Sequence, residues 1–241
     1  MVLSLNEIIL YLLIFLSELI GTLVVFGSSA FFLPISITIL TKNQSLGLMG
    51  FFQVISNIFK ATYFIKKVDW RIALMFGVPS IIMVAFGSQL TARLDTSWFK
   101  IGLGLTLIFL LVLECLKHFQ LPKNSFVEMI GGVISGFISG LIGTGGAVRG
   151  YFIFSFHLPK EVLIGTYCFI DFTGDLVRLM IYWQNGFVDG EFYKLIPGAI
   201  FTTLTANILG LYFLNKIPLK YFKLILMITL FILSLTLLLN L

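Results

Sequence analysis

Charge is what this sequence has least of. Only 11% of its 241 residues are Asp, Glu, Lys or Arg, against about 25% in an ordinary soluble domain. No stretch is polar enough to form a water-soluble domain of its own, and a soluble helical bundle with buried helices fits the composition poorly. Cysteine is nearly absent. Cys115 and Cys168 both sit in apolar stretches, which reads as two buried thiols and excludes a disulfide or metal framework. No HExxH, Walker A, GxSxG or CxxC pattern occurs, so the usual enzyme constellations and a self-contained ATP-driven pump have no support, although a separate ATPase subunit stays open. Neither a cofactor nor a metal site is expected. Residues Met1 to Glu7 carry no positive charge ahead of the first apolar run. The charged region of a cleaved signal peptide is therefore missing, and the first segment is expected to stay as a helix.

What the chain does have is length in apolar runs. Hydrophobic residues make up 59%, with 26 Phe, and mean hydropathy is +1.05. A membrane helix needs about 20 mostly apolar residues. Eight principal segments meet that need, over 7–41, 45–65, 72–92, 98–117, 126–157, 161–183, 192–214 and 220–240. The expected fold is an all-α, polytopic integral membrane protein. Trp70, Trp98 and Trp183 suit an aromatic belt at the membrane–water boundary, and the net charge of +5 lies in short loops, as membrane-flanking cations do. No nucleic-acid surface is indicated. The bilayer is the expected surrounding partner, and homo-oligomerisation is left open.

The first and fifth segments are too long for one simple helix, and each contains a glycine-rich break, near Gly27 and at Gly143-Thr144-Gly145-Gly146. A shift of 118 positions aligns them. It also pairs Lys42 with Lys160, Gly47 with Gly165, Phe51 with Phe169, Gln53 with Asp171, Asn57 with Asp175 and Lys60 with Arg178. After small insertions Val68-Asp69 meets Val188-Asp189, and Phe99-Lys100 meets Phe222-Lys223. Two greasy halves match by chance at Leu and Phe, not at intramembrane cations. The chain therefore reads as two homologous four-helix repeats, 1–118 and 119–241, with glycine-broken first helices and the polar stretch from Lys117 to Ser125 as linker. Counting four crossings per half favours parallel repeats. Loop cations split almost evenly between the two faces and give no orientation.

Asp171, Asp175 and Arg178 carry the strongest functional signal. At positions i, i+4 and i+7 they share one helical stripe inside an apolar run, and each charge at bilayer centre costs at least ~2.5–3.5 kcal/mol. They must face protein, one another or water. One reading is a structural pair of Asp175 with Arg178. The other is a substrate or proton site, with the surplus acid, Asp171 or Asp175, carrying a proton. Lys60 either snorkels to the interface or joins Arg178, with Gln53 and Asn57 on its helix, along one pathway suited to an anion. Glu18 is placed to pair with Lys60 or to carry a proton itself. Glu114, Glu128, His118 and His157 lie near segment ends and read as interface residues. In the run Gly132, Gly136, Gly140 the spacing suits close helix packing. Gly27, Gly145 and Gly146 are assigned to ligand proximity, since irregular backbone at membrane depth lines a cavity or is buried, and a helix restarting there offers N–H groups to an anion. Arg149 either strengthens that anion site or anchors at the interface.

The stretch from Gly143 to Gly150 (Gly-Thr-Gly-Gly-Ala-Val-Arg-Gly) is followed by Leu158-Pro159-Lys160-Glu161, Gly165-Thr166 and Asp175-Leu176-Val177-Arg178-Leu179. Together these resemble the second half of the TauE/SafE permeases, also called the TSUP or sulfite exporter family. Phe26-Gly27-Ser28-Ser29-Ala30-Phe31-Phe32-Leu33-Pro34 echoes the family's first-half signature, and Val68-Asp69-Trp70-Arg71 is similar to its counterpart. Ser28 and Ser29 stand where many members have glycine, and Ala147 where many have proline. The resemblance implies a multi-pass permease of the plasma (cell) membrane. Its substrate would be a small anion such as sulfite, a sulfonate or another organosulfur or organic acid anion. The reading that follows is a secondary transporter, with proton coupling through Asp171, Asp175 or Glu18. The alternative is a membrane scaffold or enzyme subunit whose charges are structural.

Overall fold

The computed structural model describes residues 4–24, 27–115, 122–188, 190 and 192–214, and for Leu113 to Cys115 the backbone alone. The eighth expected segment, 220–240, lies outside these residues, as do His118, Asp189 and the side chains of Glu114 and Cys115. Among the described residues the chain is helical, with no strand: α1 (Leu5–Val24), α2 (Ser28–Ser36), α3 (Lys42–Tyr63), α4 (Trp70–Arg93), α5 (Thr96–Cys115), α6 (Ser125–Ile142), α7 (Gly145–Ser155), α8 (Lys160–Gln184) and α9 (Phe192–Phe213). Four of them, α1, α4, α6 and α9, are long and apolar enough to cross a membrane.

Local chemistry explains where the helices begin. Thr41 caps α3 in a reciprocal box with Gln44, Asp69 accepts the Arg71 and Ile72 amides to start α4, and Asn124 accepts the Val127 amide to start α6. Each cap satisfies amides that have no partner in the first turn. At the two breaks the backbone turns left-handed, with φ 97° at Gly27 and 83° at Gly143. Only glycine takes that conformation without a Cβ penalty.

After the second break the chain folds back on itself. Gly145 lies against Ser135 and Ser139, and the Phe152 ring lies against Gly131, so α7 runs antiparallel beside α6. At the first break Ser28 packs on Gly21 in the same manner. This fold-back corrects the count of four crossings per half. Each long segment turns back at its glycines, which adds one reversal and changes the direction of everything after it. The consequence is visible in α3 and α8, the helices that the 118-residue shift aligns. Gly47 meets the Phe187 carbonyl, Gln53 meets Arg178, Asn57 meets Asp175 and Gly165 meets the Phe64 carbonyl. The two helices run antiparallel, not parallel.

The remaining contacts follow the same exchange. α4 lies parallel on α6 as α1 lies parallel on α9, and α4 packs on α8 as α9 packs on α3. Lys42, at the start of α3, donates to the Thr91 and Leu94 carbonyls at the end of α4 at 3.2 and 2.5 Å. Its 118-residue counterpart Lys160, at the start of α8, donates to the Leu214 carbonyl beyond α9 at 3.4 Å. The outer surface is apolar: Ile82, Phe86 and Phe201 are 62, 61 and 70% exposed. An apolar exterior of this extent belongs to a protein whose solvent is hydrocarbon.

Gly132, Gly136 and Gly140 bring α6 onto the α4 backbone at Phe76, Ser80 and Val84. Apolar lipid gives helices no hydrophobic reason to associate, so such close approach supplies the packing energy. A Cβ at Gly136 would fall 2.7 Å from the Ser80 Cα, whereas one at Gly77 would meet only Ile170 at 3.7 Å. Gly136→Ala is expected to cost about 1–3 kcal/mol, the usual cost of overpacking, seen as a lower thermal midpoint in detergent. Gly77→Ala should melt with the parent protein. Equal melting of all three would refute the close-packing account.

Candidate functional site

α8 is apolar over most of its length, yet one stripe of it is polar and turned inward. Tyr167, Asp171, Asp175 and Arg178 recur at helical spacing, and all four are buried. Gly174, on the same side, leaves room for the Arg149 guanidinium, which a Cβ there would approach to 3.9 Å.

Arg178 is the most connected of these side chains. Its Nη2 donates to Asp175 Oδ1 at 2.6 Å and to Gln53 Oε1 at 2.5 Å, while Nη1 donates to the Ser139 and Gly143 carbonyls at 3.2 and 3.3 Å. The guanidinium thus joins α8 to α3 and to the broken end of α6. That end needs donors, because a helix leaves its last four carbonyls unpaired. Thr91 supplies another, its hydroxyl donating to the Gly140 and Leu141 carbonyls at 3.0 and 2.6 Å. Asp175 is held from both sides, since Asn57 Nδ2 donates to its Oδ2 at 2.7 Å.

Two more pairs flank this junction. Arg149 of α7 is buried and in ionic contact with Asp171, and it donates to the Ser80 hydroxyl of α4 at 3.1 Å. Lys60 of α3 faces Glu18 of α1 at 3.8 Å. Glu18 is fully buried and accepts from the Ser56 hydroxyl, which belongs to a polar cluster with Asn207 and Thr22. Lys60 therefore stays inside the protein rather than snorkelling outward. The site holds three cations (Lys60, Arg149 and Arg178) and three carboxylates (Glu18, Asp171 and Asp175).

These groups surround a small polar cavity. Of the residues singled out in the sequence, Gly27, Gln53, Asn57, Lys60, Gly146, Asp171, Asp175 and Arg178 line it. Gly145, Arg149 and Glu18 do not. Gly145 instead lets α7 pack on α6, which corrects its assignment to ligand proximity, and Arg149 and Glu18 stand behind Asp171 and Lys60. Arg149 is no interface anchor. Glu128, read as an interface residue, is also fully buried, with the exposed Arg71 at 3.5 Å.

Sequence reasoning missed Gly21, Ser28, Ser29, Ser139, Gly143 and Tyr167 in the lining. Tyr167 was within reach, one turn before Asp171 on the same stripe. Ser139 was not, because a bend in a different helix brings it there. Both helix restarts, α2 at Ser28 and α7 at Gly145, begin beside the cavity. A helix start leaves its first amides without partners inside the helix, and its positive dipole end suits a nearby anion. Among the described residues no cluster of His, Cys, Asp and Glu could hold a metal ion.

A family profile described as "Sulfite exporter TauE/SafE" matches residues 10–237, a span that contains both breaks and every residue of the cavity. No curated protein and no solved structure matches the chain.

If Arg178 holds this junction, Arg178→Ala strands Asp175 as a buried unpaired carboxylate. Breaking a buried pair in this way costs about 3–5 kcal/mol, so the variant should lose most of its folded yield in detergent. Asp175→Asn combined with Arg178→Ala removes the stranded charge and should recover much of that loss. A single variant that melts with the parent protein would exclude the junction role.

Proposed function

Because this chain belongs to the sulfite exporter TauE/SafE family of membrane permeases, we propose that it is a secondary transporter of a small anion, coupled to protons. The substrate class is sulfite, a sulfonate or a related organosulfur or organic acid anion. The observation that carries this reading is the cavity itself. Two cations, Lys60 and Arg178, and the starts of two helices converge on one small space. A strongly hydrated anion entering it exchanges water for amide and charged donors, which are about twice as strong as neutral ones.

Coupling follows from charge balance. With three cations against three carboxylates the empty site is neutral, and an arriving monoanion leaves one negative charge in excess. In a low-dielectric interior that excess is costly, and one proton on a carboxyl removes it. The same proton releases a cation from its internal partner to hold the anion. Anion and proton then move together, with no net charge transferred and no chemistry done on the substrate.

In this reading the chain is a multi-pass protein of the plasma membrane. It is built as two inverted repeats, 1–118 and 119–241, containing eight principal segments, the first of each repeat folded back at its glycines. The antiparallel run of α3 and α8 supports this, as do the exchanged helix contacts and the equivalent use of Lys42 and Lys160. Such a layout puts the cavity between the repeats, where inverted-repeat transporters hold their substrates. A second reading, a scaffold with structural charges, draws on the internal acceptors that already hold both Nη atoms of Arg178.

Liposomes reconstituted with the protein and offered sulfite, methanesulfonate and small carboxylates, with and without a pH gradient, separate the two. Transport predicts flux of at least one of these anions, accumulating on the alkaline side. Arg178→Lys keeps the charge but not the planar fork; flux should fall about 10- to 100-fold, matching a charged hydrogen bond of about 1.5–3 kcal/mol. The Asp175→Asn, Arg178→Ala double variant should fold yet carry no anion. Recovered flux in that variant would show that Arg178 is only structural.

A further inference from the structure

We propose that Glu18, which lies outside the cavity, is the carboxyl that carries the coupling proton, and that Lys60 links its protonation to anion binding. The inference rests on the transport reading above and assigns the proton within it.

The three carboxylates of the site are not held alike. Asp175 takes a hydrogen bond on each oxygen, one from the Arg178 guanidinium and one from Asn57. Asp171 is in contact with the Arg149 guanidinium. A guanidinium does not deprotonate in a protein, so both aspartates have a fixed cation beside them. Glu18 has only Lys60, at 3.8 Å, beyond hydrogen-bonding distance. One of its oxygens accepts from Ser56 and the other accepts no hydrogen bond. Its side chain is fully buried.

Lys60 is also the one member of that pair that lines the cavity. Its ammonium sits on a flexible four-carbon stem, between Glu18 on one side and the substrate space on the other. An anion in the cavity competes with Glu18 for the ammonium. Once Lys60 turns to the anion, Glu18 is a buried carboxylate with no cation, a state that protonation relieves. One proton is taken up from water in the cavity and one anion is bound, so charge balances. Ser28 offers the path, since it lines the cavity and lies beside Glu18. Release reverses the order, as Lys60 returns to Glu18 and displaces the proton.

The groups around Glu18 leave that role to it. From α3 it faces Lys60, and from α8 it is within electrostatic reach of Asp175, Tyr167 and Cys168. From α9 it is approached by the neutral Asn207 through Ser56, and from α2 by the neutral Ser28. An anion in the cavity, together with Asp175, adds negative potential on the side that Lys60 leaves.

The test uses liposomes containing the full chain, with labelled sulfite and labelled methanesulfonate as probes. Counterflow at equal pH on both sides reports anion exchange without net proton movement, and accumulation against a pH gradient reports coupling. Glu18→Gln should keep counterflow within about two- to three-fold of the parent and lose acid-driven accumulation. The parent protein is also treated with a hydrophobic carbodiimide, which modifies protonated carboxyls, and the adducts are mapped by mass spectrometry. Labelling of Glu18 should rise several-fold when the transported anion is added, a readout that needs no variant to fold. Gradient-driven accumulation retained in Glu18→Gln overturns the proposal, as does anion-dependent labelling that falls on Asp171 or Asp175. Loss of counterflow together with accumulation, in a variant that remains folded, also overturns it, because it makes Glu18 part of anion binding. A parent protein that carries neither probe nor any other anion of the panel would overturn the transport reading instead, and the proton assignment with it.

Discussion

Hydrocarbon solvates neither an ion nor an unpaired backbone carbonyl, and the interior of this protein is organised around that fact at Arg178. A helix broken in mid-membrane leaves carbonyls that water would satisfy elsewhere. Here Arg178 and Thr91 reach them from α8 and α4. The guanidinium in turn needs a counter-charge, which Asp175 supplies, and Asp175 needs a second donor, which Asn57 of α3 supplies. Each polar group is tolerated because the next one answers it. The chain of contacts crosses both halves of the molecule and leaves a cavity at its centre.

The same constraint explains why glycine is placed where it is. At Gly27 and Gly143 it permits the left-handed turn. Along α6 it permits backbone contact with α4, which holds the broken helix in position. Close packing between α4 and α6 and ion pairs around the cavity divide the structure into two parts. Arg178 belongs to both, which is why stability and transport have to be measured separately in any variant of it.

Glu18 and Arg149 stand behind the cavity lining with opposite charge. In the first half an acid stands behind the cavity-lining cation Lys60; in the second a base stands behind the cavity-lining acid Asp171. The arrangement is complementary in charge rather than identical. A guanidinium–carboxylate pair lies on one side of the cavity and a longer lysine–glutamate pair on the other.

Much of this was legible in the sequence. Scarce charge and long apolar runs determined a helical membrane protein, because no other backbone arrangement of such composition satisfies itself in lipid. The spacing of Asp171, Asp175 and Arg178 determined that one face of α8 is buried, since charge at that depth has no other refuge. Direction was not legible. Glycine at 143 permits a bend, but whether the chain continues or folds back depends on what it packs against, and the contacts of Gly145 with Ser135 and of Phe152 with Gly131 decided for folding back. Partners were not legible either. Lys60 with Glu18, and Arg149 with Asp171, meet across distances in sequence that periodicity within one helix cannot span. Only the tertiary structure chose which of the three carboxylates sit beside a guanidinium and which sits beside a lysine.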